Sequence, residues 1–210
     1  MSLYRNVTSK PWLEGGVAGE EHARPALDMP DQKVALTLFL GSATVIFSLL
    51  AVSYYIRMGY GDWVPLSVPG LVWINTGCLL ASSVFFQLAT RAARAGHAIG
   101  DPTVGVSIPY FIGGLLAIAF IGGQYLVWQQ LDEAGYHAAA NPANGFFYLL
   151  TMVHVLHLLG GLWVWSKGLL QLQPGKAQNG QLKLKIELCT WYWHFLLVVW
   201  LGLLYLMAST

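Results

Sequence analysis

The sequence predicts an all-α integral membrane protein, built as a bundle of five transmembrane helices. Hydrophobic residues make up 56% of the 210 residues and charged residues only 10%, and the apolar residues fall into five long stretches. A soluble domain usually carries about 25% charged residues, so a chain with so few could not cover a water-facing surface. The composition therefore excludes a soluble globular domain.

Each apolar stretch is long enough to cross a bilayer, which takes about 20 mostly apolar residues. None has a charged residue in its central turns, and Trp and Tyr cluster near the ends, as expected at the membrane–water boundary. Three pairs of glycines interrupt two of the stretches, as expected where helices pack closely in lipid. The predicted spans are 34–56, 67–90, 107–131, 145–166 and 188–207.

Lysines and arginines are unevenly distributed among the segments outside the spans. The N-terminal segment and the second and fourth loops together carry ten, whereas the first loop has only Arg57 and the third loop and C-terminal tail have none. Because cytoplasmic loops are enriched in Lys and Arg, the N-terminus is predicted to be cytoplasmic and the C-terminus periplasmic. The polar segment 1–33 is predicted to be a cytoplasmic tail rather than a signal peptide, followed by one membrane domain over 34–210.

Three histidines lie within the spans, where an ionisable residue is a functional candidate. His154 and His157 are three positions apart, so one helix face presents both, and they could ligate a metal or a haem. His194 lies near the cytoplasmic end of the fifth helix, at a different depth. A di-iron or haem site needs more histidines at matched levels, so we predict instead that the three histidines form contacts between helices.

The other polar residues of the spans are uncharged. No Asp, Glu, Lys or Arg occupies the middle of any helix, whereas a proton pump or an ion-coupled transporter usually needs at least one. The chain by itself is therefore not predicted to pump or transport ions, and these side chains are interpreted as contacts between helices. They are Asn75, Thr76, Ser82, Ser83 and Gln87 on the second helix and Gln124 on the third.

Four helices carry motifs in a fixed order. The second reads N-T-x-x-L-L-x-S-S at 75–83, and the third reads F-x-x-x-Q at 120–124 ahead of Trp128. The fourth reads T-x-x-H-x-x-H at 151–157, and the fifth begins with W-Y-W-H-F at 191–195 and continues with V-V-W-L at 198–201. Over about residues 34–207 the set resembles the cytochrome c oxidase subunit III family, in its short bacterial form with five helices.

The resemblance implies an accessory, cofactor-free subunit of a haem–copper terminal oxidase in an aerobic respiratory chain of the bacterial inner membrane. Family members dock on catalytic subunit I, with subunit II and small subunits nearby, and the haem and copper belong to those partners. They bind phospholipids and support proton uptake and turnover stability, and no nucleic acid is involved. The residues singled out as structural or motif positions, none of them catalytic or ligating, are Asn75, Ser82, Ser83, Gln124, His154, His157, Glu187, Trp193 and His194.

The chain departs from the family at three acidic positions, which here hold Ala43, Val127 and Leu197. These replacements remove any proton-handling role that the carboxylate of the first helix could have had. Basic residues at helix ends remain candidates for binding lipid head groups, since their long side chains can reach the phosphates. They are Arg57, Arg91, Arg94 and Lys167.

Three other functions stay open on the sequence. The first is a subunit III-like partner of a nitric oxide reductase, which the lost acids make less remote. The second is a cytochrome-b-like electron carrier with haem ligated by His154, His157 or His194. The third, a small transporter, is the most distant because the sequence shows no site for a coupling ion.

Overall fold

A computed structural model describes residues 30–95, 102–172 and 179–209. Within these residues the chain forms helices and no strand, and each of the five helices is long and apolar enough to cross a membrane. The predicted all-helical class with five spans is therefore confirmed. The helices are α1 (Asp31–Arg57), α2 (Gly70–Ala95), α3 (Pro102–Glu133), α4 (Pro142–Gln171) and α5 (Asn179–Ala208).

The helix boundaries differ from the predicted spans in two ways. Most helices extend beyond the apolar stretches, because a helix continues through the polar boundary until a capping or breaking residue ends it. The predicted start of the second helix at 67 is wrong: α2 begins at Gly70, directly after Pro69, whose carbonyl oxygen accepts from Val72 N at 3.1 Å. A proline disfavours helical conformation in the residue before it, so Ser67 and Val68 stay outside the helix. Of the predicted segment 1–33, residues 1–29 lie outside the described residues, and α1 already begins at Asp31.

Four helices form a closed ring. Helix α2 packs on α3 and α5, and α4 packs on α5 and α3, so each member has two neighbours. The short connections between successive helices make neighbours antiparallel, and the contacts between α2 and α5 run in opposite chain directions as well. We call α2–α5 the four-helix ring. Its interior is where the polar residues of the spans can meet.

Glycines let the helices of the ring approach closely. At Gly114 of α3 a Cβ atom would come within 2.0 Å of the Trp165 indole of α4, and at Gly161 of α4 within 2.7 Å of the Tyr192 ring of α5. Trp165 is also fixed by a hydrogen bond of 2.9 Å from its Nε1 to the carbonyl oxygen of Tyr110. Small residues at helix contacts are characteristic of membrane proteins, where van der Waals packing drives association. The predicted close packing at these glycines is thus present.

Helix α1 lies against the α4 and α5 side of the ring and contacts it mainly through aromatic rings. From Leu36 onward, no Cα atom of α1 comes within 8 Å of a Cα atom in the other helices. Phe39 lies 6.0 Å from Tyr192 between ring centroids, and Tyr54 lies 5.6 Å from Phe146. The backbone of α1 therefore stands off from the ring, and side chains bridge the gap.

Asn141 connects two loops at the end of the bundle where α2 and α4 begin. Its amide Nδ2 donates to the Val64 carbonyl oxygen at 2.5 Å, and Val64 N donates back to Asn141 Oδ1 at 3.4 Å. The same Oδ1 accepts from Ala143 N at 3.2 Å and so caps the first turn of α4. One side chain thus starts α4 and holds the loop between α1 and α2.

Candidate functional site

The interior of the four-helix ring holds aromatic and polar side chains from all of its helices. The Trp200 indole Nε1 of α5 donates to Thr76 Oγ1 of α2 at 2.9 Å. The Trp200 ring lies 4.9 Å from Phe120 of α3 and 5.1 Å from His154 of α4, measured between ring centroids. All four side chains are buried. We call Thr76, Phe120, His154 and Trp200 the central cluster.

Gln124 adjoins the central cluster on α3. It lies one turn after Phe120 and one turn before Trp128, whose Nε1 donates to Thr151 Oγ1 of α4 at 3.0 Å. Phe120 contacts His154, also on α4, with a centroid distance of 6.0 Å. Because residues four apart share a helix face, Gln124 faces the stretch of α4 between Thr151 and His154. Gln124 is completely buried.

Asn75 approaches the same region from α2. It packs against the α3 backbone beside Gln124, since a Cβ at Gly123 would lie 2.0 Å from Asn75 Oδ1. Several polar atoms of this region are buried and have no hydrogen-bond partner among the described residues. They are Asn75 Nδ2, Gln124 Nε2 and Oε1, and both ring nitrogens of His154.

His157 has a different environment from His154, although both lie on α4. Its Nδ1 is 2.8 Å from the Val153 carbonyl oxygen, and because a carbonyl only accepts, Nδ1 carries the proton. Phe47 of α1 lies against both imidazoles, with centroid distances of 6.3 Å to His154 and 5.1 Å to His157. Aromatic rings therefore surround the pair. In the part of the chain that the structure describes, no group of three or more His, Cys, Asp and Glu side chains is placed to hold a metal ion.

His194 lies at the contact between α2 and α5. Its Nε2 is 2.9 Å from Gln87 Oε1, and its Nδ1 contacts the Ser83 hydroxyl. An amide oxygen only accepts, so Nε2 carries the proton and Nδ1 accepts from Ser83. Ser83 is seven residues from Thr76 along α2, which corresponds to about 10 Å. The structure thus brings Ser83 to His194 but keeps His194 apart from His154.

The α2–α5 contact is polar along most of its length. Beyond His194 the hydroxyls of Thr90 and Thr190 are 2.7 Å apart, and Arg94 Nε donates to Glu187 Oε1 at 2.8 Å. Together with the bond between Trp200 and Thr76, these pairs link the two helices at four successive levels. Such hydrogen bonds between membrane helices contribute about 0.6 kcal/mol each on average.

Two further motif residues also contact neighbouring helices. Ser82 of α2 donates from Oγ to the Gly113 carbonyl oxygen of α3 at 2.7 Å. Trp193 of α5 is buried and stacks on Phe86 of α2, with ring centroids 5.0 Å apart and an angle of 12° between the ring planes. Ser82 therefore connects α2 to α3 by a hydrogen bond, and Trp193 connects α5 to α2 by ring packing.

The basic residues at helix ends differ in how far their charges are paired. Arg57 donates to both carboxylate oxygens of Asp62, at 2.7 and 2.5 Å, and this pairing holds the pKa of the Asp62 carboxyl below its usual value. Arg94 pairs with Glu187. Lys167 places its Nζ 4.6 Å from the centre of the Trp163 ring, and Arg91 is exposed. Lys167 and Arg91 thus remain the more available candidates for lipid.

The three neutral positions are accommodated by packing. Ala43 and Val127 are buried, with 2% and 0% of their surface exposed, and Leu197 is partly buried against the core. An ionised carboxylate at the first two positions would lose its hydration without a charged partner in the central turns, which costs several kcal/mol. Apolar side chains at these positions fit the surroundings that the ring provides.

Several contacts of the interior were not singled out from the sequence. The most important is the hydrogen bond between Trp200 and Thr76, followed by the hydroxyl pair of Thr90 and Thr190. A signal existed for the first, because Trp200 lies in the motif of the fifth helix and Thr76 in that of the second. For the threonine pair there was none, since a hydroxyl in a span usually bonds its own helix.

These features define a multi-pass membrane bundle whose polar residues are largely held between its own helices. The chain belongs to the family described as cytochrome c oxidase subunit III, because the sequence model of that family matches residues 29–209. The resemblance drawn from the ordered motifs is thereby confirmed.

Curated relatives match most of the chain. The probable cytochrome c oxidase subunit 3 of Nocardia farcinica is 29% identical over 189 residues, which span 85% of this chain and 88% of the relative. Cytochrome c oxidase subunit 3 of Thermostichus vulcanus is 27% identical over 196 residues, 90% of each chain. Quinol oxidase subunit 3 of Bacillus subtilis is 29% identical over 168 residues, 78% of this chain and 79% of the relative.

Proposed function

We propose that this chain is an accessory subunit III of a haem–copper terminal oxidase and carries no redox cofactor of its own. The observation that carries the proposal is the family match over residues 29–209. It is supported by the histidines of the spans, which contact aromatic rings and polar groups of their own chain rather than forming a ligand set. The chain then supports oxygen reduction that takes place in a neighbouring subunit.

The expected partners are the catalytic subunit I, which holds the haem and copper, together with subunit II and small subunits. Relatives include subunits of both cytochrome c oxidases and a quinol oxidase. The electron donor, cytochrome c or quinol, therefore has to be identified by assays of the partner subunits. Docking of this chain is proposed to keep proton uptake by subunit I fast and to protect it from inactivation during turnover.

The proposed location is the bacterial inner membrane, with the N-terminus and the second and fourth loops in the cytoplasm. Arg91, Arg94, Lys167 and Lys185 then lie at the cytoplasmic end, in agreement with the bias of basic residues toward that side. At this end we propose that Lys167 and Arg91 bind phospholipid head groups, because no carboxylate among the described residues pairs with them as Asp62 and Glu187 pair with Arg57 and Arg94.

Gentle extraction of the membrane, followed by mass spectrometry and an absorbance spectrum, tests the function. We expect the chain to purify with a larger subunit that shows haem absorbance and contains copper, and the separated chain to be colourless. Non-haem iron in place of copper would assign the complex to the nitric oxide reductases. A Soret band on the separated chain that is lost in His154→Ala would overturn the proposal in favour of an electron carrier.

The lipid contacts need a separate measurement. Native mass spectrometry of the purified complex is expected to show phospholipid retained by the wild-type chain and reduced in Lys167→Gln. Lys183→Gln, at another exposed lysine of the same end, is the control and should retain the lipid. Equal retention in both variants would remove Lys167 from the proposed contact.

A further inference from the structure

Asn75, Gln124 and His154 place five buried nitrogen and oxygen atoms in the interior of the ring, and in the part of the chain that the structure describes none of the five has a hydrogen-bond partner. Buried polar groups are nearly always hydrogen-bonded, because an unpaired group loses its hydration without compensation. These three residues come from three different helices, α2, α3 and α4. We propose that they jointly bind a water molecule inside the four-helix ring.

The contacts around these residues place them at the same level of the four-helix ring. Asn75 packs on α3 at Gly123, the residue beside Gln124. Gln124 faces α4 between Thr151 and His154, because Trp128 and Phe120 on either side of it contact those two residues. Asn75 is also next to Thr76, whose partner Trp200 lies against His154. Asn75, Gln124 and His154 therefore lie within about one helical turn of one another along the ring, beside the central cluster.

The chemistry of these atoms selects a neutral ligand that both donates and accepts. Asn75 Nδ2 and Gln124 Nε2 only donate, Gln124 Oε1 only accepts, and a neutral imidazole offers one nitrogen of each kind. No charged residue occupies the central turns of the spans to balance a cation or an anion. Water donates two hydrogen bonds and accepts two, and buried waters typically make about three. It can accept from Asn75 Nδ2 and His154 and donate to Gln124 Oε1.

A direct hydrogen bond between two of these side chains does not satisfy the remaining polar atoms. One hydrogen bond between Gln124 and His154 satisfies two of the five atoms and leaves Asn75 Nδ2 unpaired. A shared water instead connects α2, α3 and α4, while the bond between Trp200 and Thr76 connects α5 to α2. The interior of the ring then has a polar network that reaches all four helices, independently of the partner on which the chain docks.

The direct test is a high-resolution cryo-electron microscopy map of the complex that contains this chain, in lipid nanodiscs. We expect a density peak within hydrogen-bond distance, about 2.7–3.2 Å, of Asn75, Gln124 and His154. The peak should be absent in Gln124→Leu and present in Gln129→Leu, which changes an exposed glutamine of the same helix. A direct bond between Gln124 and His154 with no density between the three side chains would overturn the proposal.

If Gln124→Leu does not assemble into the complex, a stability measurement on the separate chain tests the proposal. The purified full-length chain is unfolded thermally in detergent. Gln124→Leu is expected to lower Tm by about 3 °C or more. Adding His154→Phe and Asn75→Leu is expected to recover at least half of that loss, since none of the five unpaired atoms then remains. A Tm for Gln124→Leu equal to that of Gln129→Leu would contradict a shared ligand.

Discussion

Helix α1 and the four-helix ring are held together in different ways. Within the ring, glycines allow a neighbouring aromatic side chain to reach the helix backbone, and polar pairs connect α2 to α5 at four levels. From Leu36 onward, the described contacts of α1 with the ring are of another kind, because its backbone stays beyond 8 Å and the rings of Phe39, Phe47 and Tyr54 bridge the gap. Its hydroxyls at Ser42, Thr44 and Ser53 bond to carbonyls of their own helix.

The difference shows which forces hold helices together when lipid is the solvent. Apolar surface gains little from leaving lipid, so close packing and hydrogen bonds determine association. The ring has both, whereas the described contacts of α1 with the ring are dispersion contacts of a few aromatic side chains. We therefore expect changes at ring positions and at matched α1 positions to have unequal effects, and four changes test this.

The largest effect is expected for Gly114→Ala, which places a methyl group 2.0 Å from the Trp165 ring. The indole has little room to move because its Nε1 is hydrogen-bonded to Tyr110, so overpacking should cost about 1–3 kcal/mol. Gly122→Ala, on the same helix with nothing within 4 Å, is the control, and Gly41→Ala makes the same change on α1. In thermal unfolding in detergent, Gly114→Ala should have a lower melting temperature than the other two variants. Equal melting temperatures would mean that α3 and α4 are not in close contact.

The next effect is expected for Phe47→Ala on α1. Phe47 is 5% exposed and lies between α1 and the two histidines of α4, so its loss removes a main bridge to the ring. In a membrane this side chain leaves lipid rather than water when it packs, so its burial itself contributes little free energy. Loss of its packing contacts should cost about 1–2 kcal/mol. Hydrogen exchange should increase along α1 and stay unchanged in α2 and α3. Leu49→Ala, at a position that is 62% exposed, should leave both patterns unchanged.

A smaller effect is expected for Thr76→Val, which leaves the Trp200 indole N–H without its partner. The cost of one such hydrogen bond is about 1 kcal/mol. Thr44→Val makes the same substitution on α1, where the hydroxyl is exposed and bonds only to the Leu40 carbonyl, and should be near neutral. Thermal unfolding of both variants checks the difference. A larger loss in Thr44→Val would reverse the comparison between α1 and the ring.

The smallest effect concerns Asp62, which pairs with the last residue of α1. Its pKa is lowered in the folded chain by the hydrogen bond from Arg57, so this contribution to stability is present above the ordinary carboxyl pKa of about 4 and is lost as the pH falls through the lowered value. Hydrogen-exchange protection factors in the loop over 58–69, which correct for the intrinsic pH dependence of exchange, should fall under acid conditions in wild type. Asp62→Asn should show the lower protection already at pH 7, with little further change on acidification. Because the pair is solvent-exposed, the effect should also weaken with salt.

Much of the fold could be predicted because hydropathy is a local property of the chain. Five apolar stretches separated by polar loops indicate five helices without knowledge of how they pack. The error at the start of α2 was also local, since Pro69 stops the helix inside an apolar run. Ordered motifs from Asn75 to Phe195 then indicated the family, which the family match over 29–209 confirms.

The partners of the polar residues could not be predicted in the same way. A spacing of three places His154 and His157 on one face, but only the packing of α1 shows that Phe47 lies against both. The sequence likewise treats Ser82 and Ser83 as neighbours with one role, whereas one bonds to α3 and the other to α5. Adjacent residues of a helix point about 100° apart, so their partners depend on which helix stands on each side.

The sequence by itself therefore determined the class, the number of helices and the family, because these follow from composition, hydropathy and ordered motifs along the chain. The tertiary structure alone determined the order α3–α2–α5–α4 around the ring, the stand-off of α1 and the shared level of Asn75, Gln124 and His154. These depend on the rotation and closest approach of helices far apart in sequence. Both are set by side-chain packing in the interior, at contacts such as Gly114 with Trp165 and Thr76 with Trp200.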